Sequence, residues 1–525
     1  MIMLLAKAIL LTIWLGDECM KNQEKKKKLQ FPTAFTVLFI VLILAAILTY
    51  VVPAGLYSKL QYNAEQNVFI VENHKGETTD LPAVQETLDK LNIKMDVDKF
   101  IDGSIRKPIA IPDTYEPIEQ SPQGLLPVIM SPIEGIMDTV DIMVFVLILG
   151  GIIGLINKTG TFDAGIAALS KRTKGKEFLL VIFVSSLIAL GGTTFGLAEE
   201  TIALYPILMP IFIASGYDAI VCIAAIYMGS SIGTMFSTTN PFSVVIASNA
   251  AGISFNEGLV FRIISLVLAM VITLIYIYYY AKKVKRDPRN SLIYEDMETI
   301  EERFLKDYDP ENVIPFDWRR ILILVMFLAA FPIMIWGVST GVWWFPEMSG
   351  LFLTVAIIII FLSGLSEKEA VNTFLDGAAD LIGVVLIIGV ARAINIVMDN
   401  GMISDTLLFY SSSIIKNMNA GFFAAVQMIL FSFLGFFVPS SSGLATLSMP
   451  IMAPLADMVG LSRDIVVTAY NWGQGWMAFI TPTGLILATL EMVDVTYNKW
   501  LKFILPLMGI IGVFSIAMLV VQTIL

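Results

Sequence analysis

Ile202-Ala-Leu-Tyr-Pro206-Ile-Leu-Met-Pro210 is matched later in the chain by Thr446-Leu-Ser-Met-Pro450-Ile-Met-Ala-Pro454. The correspondence extends to both sides: Gly196-Leu-Ala198 with Gly443-Leu-Ala445, Gly216 with Gly460, Gly229 with Gly473, and Ser237-Thr-Thr-Asn-Pro241 with Thr481-Pro-Thr-Gly-Leu485. Apolar segments interrupted by Gly and Pro at corresponding positions of two halves are typical of a transporter site. The sequence therefore predicts an internal repeat with functional residues at its interruptions.

The composition around this repeat is that of a membrane protein. Of 525 residues, 56% are hydrophobic and 15% charged, and the mean hydropathy is +0.77. Apolar runs of about 20 residues, the length that crosses a bilayer as a helix, recur along most of the chain. The net charge of −11 resides mainly in two polar stretches, so no basic surface for nucleic acid is predicted.

Cysteine and histidine usage excludes several kinds of site. Cys19 lies near the N-terminus and Cys222 lies in an apolar segment, which argues against a disulfide. His74 falls in a polar segment, so no histidine proton relay is predicted in the membrane. Neither a Cys/His metal cluster nor a Ser/His/Asp set is present. We therefore expect that the protein is not an enzyme and binds no cofactor. Its activity could be coupled to sodium ions or to protons.

Hydropathy divides the chain into segments in a definite order. These are a cytoplasmic leader at 1–32, a first span at 33–56, an extracytoplasmic polar segment with helical pieces at 57–123, the rest of repeat 1 at 124–281, a cytoplasmic linker at 282–319, a topology-inverting span at 320–338 and repeat 2 at 349–525. Met20 is an alternative natural start. Repeat 1 contains a re-entrant hairpin at 177–214 and a broken helix at 219–250, and repeat 2 contains a hairpin at 420–458 and a broken helix at 464–491.

The topology of this all-α fold makes the repeat inverted. Lys25 to Lys28 precede the first span, which predicts a cytoplasmic N-terminus. Each half has an even number of crossings, and span 320–338 reverses the second half. The first hairpin would then enter from the cytoplasm and the second from outside. We expect a multi-pass protein of a bacterial-type inner membrane with its C-terminus outside.

The interruptions concentrate polar residues at membrane depth. Unwound backbone is tolerated there only where it is buried in protein or lines a cavity. Such hydroxyls and amides could also be Gly/Ser helix packing, but four clusters in matched positions favour a substrate site. The predicted substrate-binding residues are Thr193, Thr194, Glu199, Ser237, Thr239, Asn240, Arg392, Asn395, Ser440, Ser441, Ser442, Asn471, Thr481 and Thr483. A sodium ion is predicted at Gly191, Thr193, Asn240, Ser441 and Gly484.

Glu199 and Arg392 are ionisable residues inside predicted helical segments, where charge is costly and usually functional. Neither has a charged counterpart in the other repeat. We expect them to act as a pair that selects an amine and a carboxylate of an asymmetric substrate. The alternative is structural, with Arg392 bound to Glu199 or to Asp380.

Several motifs resemble the DcuC/YfcC-like carriers of the ion transporter superfamily. They are Phe31-Pro-Thr-Ala-Phe-Thr36, Val52-Pro-Ala-Gly55, Tyr115-Glu-Pro117, Asn157-Lys-Thr-Gly160-Thr-Phe-Asp-Ala-Gly165, Gly196-Leu-Ala-Glu-Glu200 and Tyr470-Asn-Trp-Gly473. The resemblance covers nearly the whole chain. It implies a homodimer in the lipid bilayer, with a scaffold and a moving transport domain that work as an elevator. It also implies a small-molecule substrate that is a four-carbon dicarboxylate or a basic amino acid.

The functional hypothesis is secondary active transport, by antiport or cation-coupled symport, of a small carboxylate-bearing metabolite. An amino acid such as arginine or ornithine would satisfy both Glu199 and Arg392, and a four-carbon dicarboxylate is the alternative. An ion channel is a further alternative, but it would favour a continuous polar path over two opposed hairpins.

Overall fold

The computed structural model describes residues 33–524 except 94, 102–104, 106–107, 163, 165–175, 306–314, 316, 340–342, 344, 416–419, 439 and 460. The predicted leader at 1–32 therefore lies outside the described residues, as do Pro439 and Gly460. Six described helices are long and apolar enough to cross a membrane. They begin at Ala34, Val140, Leu259, Phe345, Ile382 and Tyr497. The chain is thus a mainly helical, multi-span membrane protein, in agreement with its composition.

The first half contains helices that alternate with shorter irregular ones. They are α1 (Ala34–Val51), α2 (Gln85–Lys90), α3 (Asp98–Ile101), α4 (Leu125–Asp138), α5 (Val140–Lys158), α6 (Phe178–Phe195), a 3₁₀ turn (Glu199–Leu204), α7 (Tyr205–Ala214), α8 (Ala219–Ile223), a π turn (Ala224–Met228), α9 (Gly229–Met235), a second π turn (Pro241–Val245), α10 (Ile246–Ala250) and α11 (Leu259–Arg286).

The second half repeats this order after a connecting segment. Its elements are 3₁₀ turns (Pro288–Asn290 and Tyr294–Asp296), α12 (Met297–Leu305), α13 (Trp318–Ser339), α14 (Phe345–Ser363), α15 (Glu367–Ala379), α16 (Ile382–Asn400), α17 (Ser404–Ile415), α18 (Ala420–Phe437), α19 (Ser441–Met458), α20 (Arg463–Ala478), α21 (Ile486–Met492) and α22 (Tyr497–Ile524).

The polar segment 57–123 differs from the expectation, because its helical pieces are minor and a β-sheet is its main element. The strands are β1 (Gly55–Leu56), β2 (Lys59–Asn63), β3 (Val68–Glu72), β4 (Thr78–Pro82), β5 (Ile109–Ala110) and β6 (Glu116–Pro117). The antiparallel sheet has the order β4-β3-β2-β5, and β1 pairs with β6. Leu60, Phe69 and Phe100 form part of a core separate from the membrane helices. The segment is therefore a small folded domain, which we call the outer domain after its predicted extracytoplasmic location.

The outer domain is attached at its base to the helix that follows α16. The backbone N–H of Tyr57 donates to the Asp405 carboxylate at 3.0 Å, and the Tyr115 ring stacks on Phe409 with centroids 4.1 Å apart. Burial raises the pKa of the Asp405 carboxyl. On the other side, Lys99 Nζ lies 3.1 Å from Asn249 Oδ1, at the end of α10. The outer domain thus bridges two parts of the helical body.

The two halves interlock through reciprocal helix pairs. Helix α4 of the first half packs on α16 of the second, and α15 of the second packs on α5 of the first. In the same way α1 packs on α16, and α14 packs on α5. These six helices form a group that we call the frame. The hairpin and broken-helix elements of both halves pack mainly among themselves, and we call them the inner group.

Glycines allow the closest approaches within the frame. A Cβ atom at Gly135 would lie 2.3 Å from the carbonyl oxygen of Gly389, and one at Gly377 would lie 2.4 Å from that of Gly150. Gly135 and Gly377 occupy matching places near the ends of α4 and α15. Small residues at such contacts let membrane helices pack backbone to backbone.

These contacts predict that Gly135→Ala destabilises the frame, because the new methyl group would have to separate two helix backbones. Overpacking of this kind costs about 1–3 kcal/mol. Gly350→Ala is the matched control, since a Cβ at Gly350 of α14 meets no atom within 4 Å. Thermal unfolding followed by size-exclusion chromatography in detergent would measure the difference. Equal melting temperatures for the two variants would contradict the packing described.

Candidate functional site

Each half contains one helix that is interrupted in its middle. In the first half, α9 ends at Met235 and helical structure resumes at Pro241. In the second, α20 ends at Ala478 and α21 begins at Ile486. The interruptions, which we call break 1 (236–240) and break 2 (479–485), coincide with the predicted Ser/Thr/Asn/Pro motifs. Asn240 begins the new half-helix, because its side chain accepts a hydrogen bond from the backbone N–H of Phe242 at 2.9 Å.

Break 1 is bonded to the end of α6, the first arm of hairpin 1. The backbone N–H groups of Thr238 and Thr239 both donate to the Thr193 carbonyl at 3.1 Å. The Thr193 hydroxyl donates to the carbonyl of Phe236 at 3.1 Å, and Asn240 Nδ2 donates to the carbonyl of Gly192 at 3.2 Å. Backbone groups freed by the break are therefore satisfied by the adjoining arm.

Hairpin 1 is interrupted later than the sequence indicates. The glycines and threonines at 191–196 interrupt the apolar run of the predicted hairpin 177–214, whereas α6 continues to Phe195 and ends at Gly196, whose φ is +80°. The helix persists through Gly192 because that glycine faces α9: a Cβ there would lie 2.6 Å from the carbonyl of Ser230. Thr193 and Thr194 thus belong to a last helical turn, and Thr194 donates back to the Leu190 carbonyl at 2.5 Å.

Break 2 has the equivalent arrangement with α18, the first arm of hairpin 2. The hydroxyls of Thr481 and Thr483 each lie 3.5 Å from the carbonyl oxygen of Phe436, and they lie 2.9 Å from each other. Ser440 Oγ accepts a hydrogen bond from the backbone N–H of Gly443 at 3.2 Å. In both halves, the end of a first hairpin arm therefore supports the break that follows it.

The two breaks lie next to each other because the interrupted helices cross. A Cβ at Gly475 of α20 would lie 2.6 Å from the Cα of Met235, the last residue before break 1. The Phe236 ring lies 4.8 Å from the Trp472 ring, centroid to centroid. Helix α10 and the π turn before it also pack on α19, the second arm of hairpin 2. One composite region thus combines both breaks and both hairpins.

The remaining predicted hydroxyls and amides fall at the edges of this region. Ser237 Oγ lies 2.9 Å from Ser243 Oγ, and the Thr239 hydroxyl donates to the Thr194 carbonyl at 3.3 Å. The Ser442 carbonyl accepts a hydrogen bond from the Thr446 hydroxyl. Asn471 is 1% exposed, and neither polar atom of its side chain has a hydrogen-bond partner among the described residues. Such groups call for a water, an ion or a substrate.

The five residues predicted for sodium divide between the two breaks. Thr193 and Asn240 belong to the break 1 network, whereas the Gly191 carbonyl accepts from the backbone N–H groups of Gly196 and Leu197 at the hairpin 1 tip. Ser441 contacts Gln474, and Gly484 N donates to the Thr481 carbonyl at 3.0 Å. Within the described residues, no group of three or more His, Cys, Asp or Glu side chains could hold a metal. A sodium site here would depend on carbonyls and hydroxyls.

Glu199 and Glu200 open the 3₁₀ turn directly after the hairpin 1 tip. Glu200 accepts a hydrogen bond from the backbone N–H of Ala198 at 3.0 Å. No basic side chain of the described residues pairs with either carboxylate. The turn packs on α5, α7 and the π turn that contains Tyr227. The Tyr227 hydroxyl donates to the carbonyl of Ala478, the last residue before break 2, at 2.7 Å. Tyr227 therefore connects the surroundings of the Glu199 turn with break 2.

Arg392 has a partner that the sequence does not indicate. Its Nε donates to the Asp138 carboxylate at 2.5 Å, and the two side chains are 35% and 50% exposed. This ion pair joins α16 to α4 inside the frame, so the structure does not unite Arg392 with Glu199 or with Asp380. The pair depends on the contact between two helices of different halves, which local sequence does not reveal. Asn395 lies one turn further along α16, and its side-chain oxygen has no hydrogen-bond partner among the described residues.

Sequence reasoning missed residues that contact the hairpin tips. Ser230 donates to the Leu197 carbonyl, and Gln474 and Tyr470 contact Ser441. The signal was present in the repeat, because Ser230 and Gln474 directly follow the matched Gly229 and Gly473.

Two interrupted helices that cross between apolar spanning helices, each supported by a helical hairpin, place the chain among membrane transport proteins. The profile of the DcuC family, described as C4-dicarboxylate anaerobic carrier, matches residues 31–524. The chain belongs to the DcuC family, and it is a membrane transporter. This confirms the resemblance found in the sequence motifs.

Two relatives are similar over nearly their whole lengths. An uncharacterized protein of Haemophilus influenzae is 54% identical over 96% of this chain and 99% of its own. YfcC of Escherichia coli, whose name proposes a basic amino acid antiporter, is 30% identical over 92% of this chain and 94% of its own.

Two solved structures also align with the chain. MtrF of Neisseria gonorrhoeae, from a class of antimetabolite efflux pumps, covers 95% of this chain and 96% of its own at 16% identity and a TM-score of 0.38. The YdaH transporter of Alcanivorax borkumensis covers 93% and 98% at 14% identity and a TM-score of 0.38.

The break 1 geometry predicts that Asn240→Ala abolishes most uptake while the protein stays folded. The substitution removes the cap of the half-helix and the bond to Gly192, and caps of this type contribute about 0.5–2 kcal/mol. The half-helix N-terminus, which carries partial positive charge, would no longer be held in place.

Uptake into proteoliposomes, normalised to folded protein, measures this effect. Asn256→Ala is the matched control, because Asn256 lies exposed in the loop before α11. Uptake by Asn240→Ala equal to that of the control would show that break 1 is not part of the site.

Proposed function

We propose that this transporter is a secondary active carrier, by antiport or cation-coupled symport, of a basic amino acid such as arginine or ornithine. The observation that carries the proposal is the pair of adjacent carboxylates, Glu199 and Glu200, directly after a hairpin tip and without a basic partner among the described residues. Unneutralised carboxylates among membrane helices are costly and are kept where they meet a cation. The cationic end of the substrate would supply it.

The carboxylate end of the substrate has two candidate partners. Arg392 forms an ion pair with Asp138, so it would have to release Asp138 before it could bind the substrate. The N-terminus of the half-helix that begins at Pro241 needs no such exchange, because its amide groups already carry partial positive charge. We therefore assign the carboxylate to the half-helix ends beside the breaks, with Arg392 as a frame residue.

The movement we propose is an elevator motion of the inner group against the frame, in a homodimer of the bacterial inner membrane. The separation of the helices into these two groups supports it. Among the described residues, the main contacts between the two groups are those of the Glu199 turn with α5 and of α21 with α16 and α1. An interface that joins two internally well-packed bodies is compatible with sliding.

A four-carbon dicarboxylate is the second candidate, and the family description favours it. Both carboxylates of such a substrate would need positive partners. The half-helix end beside break 1 and the Arg392 guanidinium would provide one each. Glu199 would then bind a coupling cation or a proton. A channel is less favoured, because two opposed hairpins are a device for alternating access.

Two charge-neutralising variants separate these candidates. For a basic amino acid, Glu199→Gln should lower arginine affinity at least about tenfold, or ~1.4 kcal/mol, while Arg392→Gln changes it by less than about twofold. For a dicarboxylate, Arg392→Gln should abolish succinate binding, and Glu199→Gln should change only cation or proton coupling. Isothermal titration of purified protein with arginine, ornithine and succinate distinguishes the two patterns.

Glu134→Gln serves as the matched control for Glu199→Gln, because Glu134 is exposed on α4. If both test variants bind every ligand as the wild type does, the assignment of charge recognition to these positions is wrong. Counterflow in proteoliposomes, with and without sodium, would then decide which ligand is carried and whether sodium is coupled.

A further inference from the structure

The tip of hairpin 1 is bonded to a side chain of the interrupted helix behind it. Ser230, which is 5% exposed on α9, donates its hydroxyl to the carbonyl of Leu197. The chain turns at this point because Gly196 adopts a left-handed conformation. A Cβ at Gly196 would lie 2.9 Å from Asn240 Oδ1, so the tip lies between Ser230 on one side and break 1 on the other.

The tip of hairpin 2 is held from α20 in a comparable way. Ser441, the first residue of α19, has its hydroxyl 3.3 Å from Gln474 Oε1. The carbonyl of the same residue accepts a hydrogen bond from the Tyr470 hydroxyl at 2.5 Å. Gln474 is 6% exposed, and Ser441 is partly buried.

Ser230 and Gln474 occupy equivalent positions in the two repeats. Each directly follows one of the matched glycines, Gly229 and Gly473. These glycines bring each interrupted helix against the first arm of its own hairpin: a Cβ at Gly229 would lie 2.8 Å from the Ser185 carbonyl, and one at Gly473 would lie 2.3 Å from that of Met428. The next residue is thereby directed towards the tip.

The two side chains differ, yet both reach the tip of their own hairpin. A short hydroxyl reaches a backbone carbonyl in the first half, whereas a longer amide reaches a side-chain hydroxyl in the second. Ser and Gln differ in volume and in the groups they offer. What the two positions share is the bond to the tip.

We propose that Ser230 and Gln474 are positioning residues, one for each gate, that hold the hairpin tips closed against the breaks. They act through the tips and do not contact the substrate. The role of the tips as gates rests on the proposed transport function. Whether the tips are closed can be measured on the purified protein in detergent. Loss of one bond should release its own tip and leave the other closed.

The test measures maleimide labelling rates of single cysteines at the tips, in detergent, with Cys19 and Cys222 replaced by serine. Ala198→Cys reports on hairpin 1, and Ser442→Cys reports on hairpin 2. Ser230→Ala should raise the labelling rate at position 198 about tenfold, which corresponds to ~1.4 kcal/mol, and leave position 442 unchanged. Gln474→Leu should do the reverse.

Matched controls separate closure from general loosening. Ser231→Ala changes the neighbouring hydroxyl of α9, and Gln427→Leu removes a buried amide of α18 that has no hydrogen-bond partner among the described residues. Neither control should alter either rate. Ser230→Thr and Gln474→Glu, which keep a donor and an acceptor respectively, should restore slow labelling.

Unchanged rates in both test variants would overturn the proposal, and so would acceleration of both tips by either variant. Because the labelling needs no substrate, it gives an answer even if arginine, ornithine and succinate all fail to bind. A failure of the proposed function and a failure of the closure are therefore seen in different measurements.

Discussion

The constraint on which the structure depends is that backbone N–H and C=O groups freed inside a membrane must find partners within the protein. Break 1 meets this requirement with a hairpin arm, because the Thr193 carbonyl at the end of α6 accepts hydrogen bonds from the backbone N–H groups of Thr238 and Thr239. In break 2, the backbone N–H groups of Thr481 and Gly484 bond within the local turn, and the hydroxyls of Thr481 and Thr483 lie 3.5 Å from the Phe436 carbonyl oxygen. The arm of hairpin 1 therefore supports break 1 through backbone bonds, whereas the arm of hairpin 2 contacts break 2 through side-chain hydroxyls. Any movement of a hairpin tip must also change how a break is satisfied.

The two halves also depend on each other for their packing. The helices of the frame exchange partners between the halves, so neither half could pack without the other. The hairpins and interrupted helices form their own group around the crossing of Gly475 with Met235. Polar segments contact this inner group from outside the helical spans: Lys99 of the outer domain bonds to Asn249, and Arg303 of α12 pairs with Asp494 after α21. The inner group is thus held on several sides, by the outer domain and the connecting segment as well as by the helices around it.

The fold was largely predictable because its signals are local. Apolar runs of spanning length place the helices, and Ser237-Thr-Thr-Asn-Pro241 marks break 1, since Pro and an N-capping Asn end one helix and begin another. Long-range contacts were not predictable. The pairing of Arg392 with Asp138 requires α4 to lie on α16, and the helical state of Gly191–Phe195 depends on packing against α9. The strands of the outer domain were missed because strands such as Thr78–Pro82 are short and polar, and only their pairing stabilises them.

The central claim is that the two hairpins enter the membrane from opposite faces and make the repeat inverted. Single cysteines at Thr194 and Ser441, in a background without Cys19 and Cys222, test it with a membrane-impermeant maleimide applied to right-side-out and inside-out vesicles. Thr194 is exposed beside the hairpin 1 tip, and Ser441 begins the second arm of hairpin 2. The inverted arrangement predicts labelling of position 194 preferentially from the cytoplasmic face and of position 441 from the external face. Labelling of both positions from the same face only would contradict it.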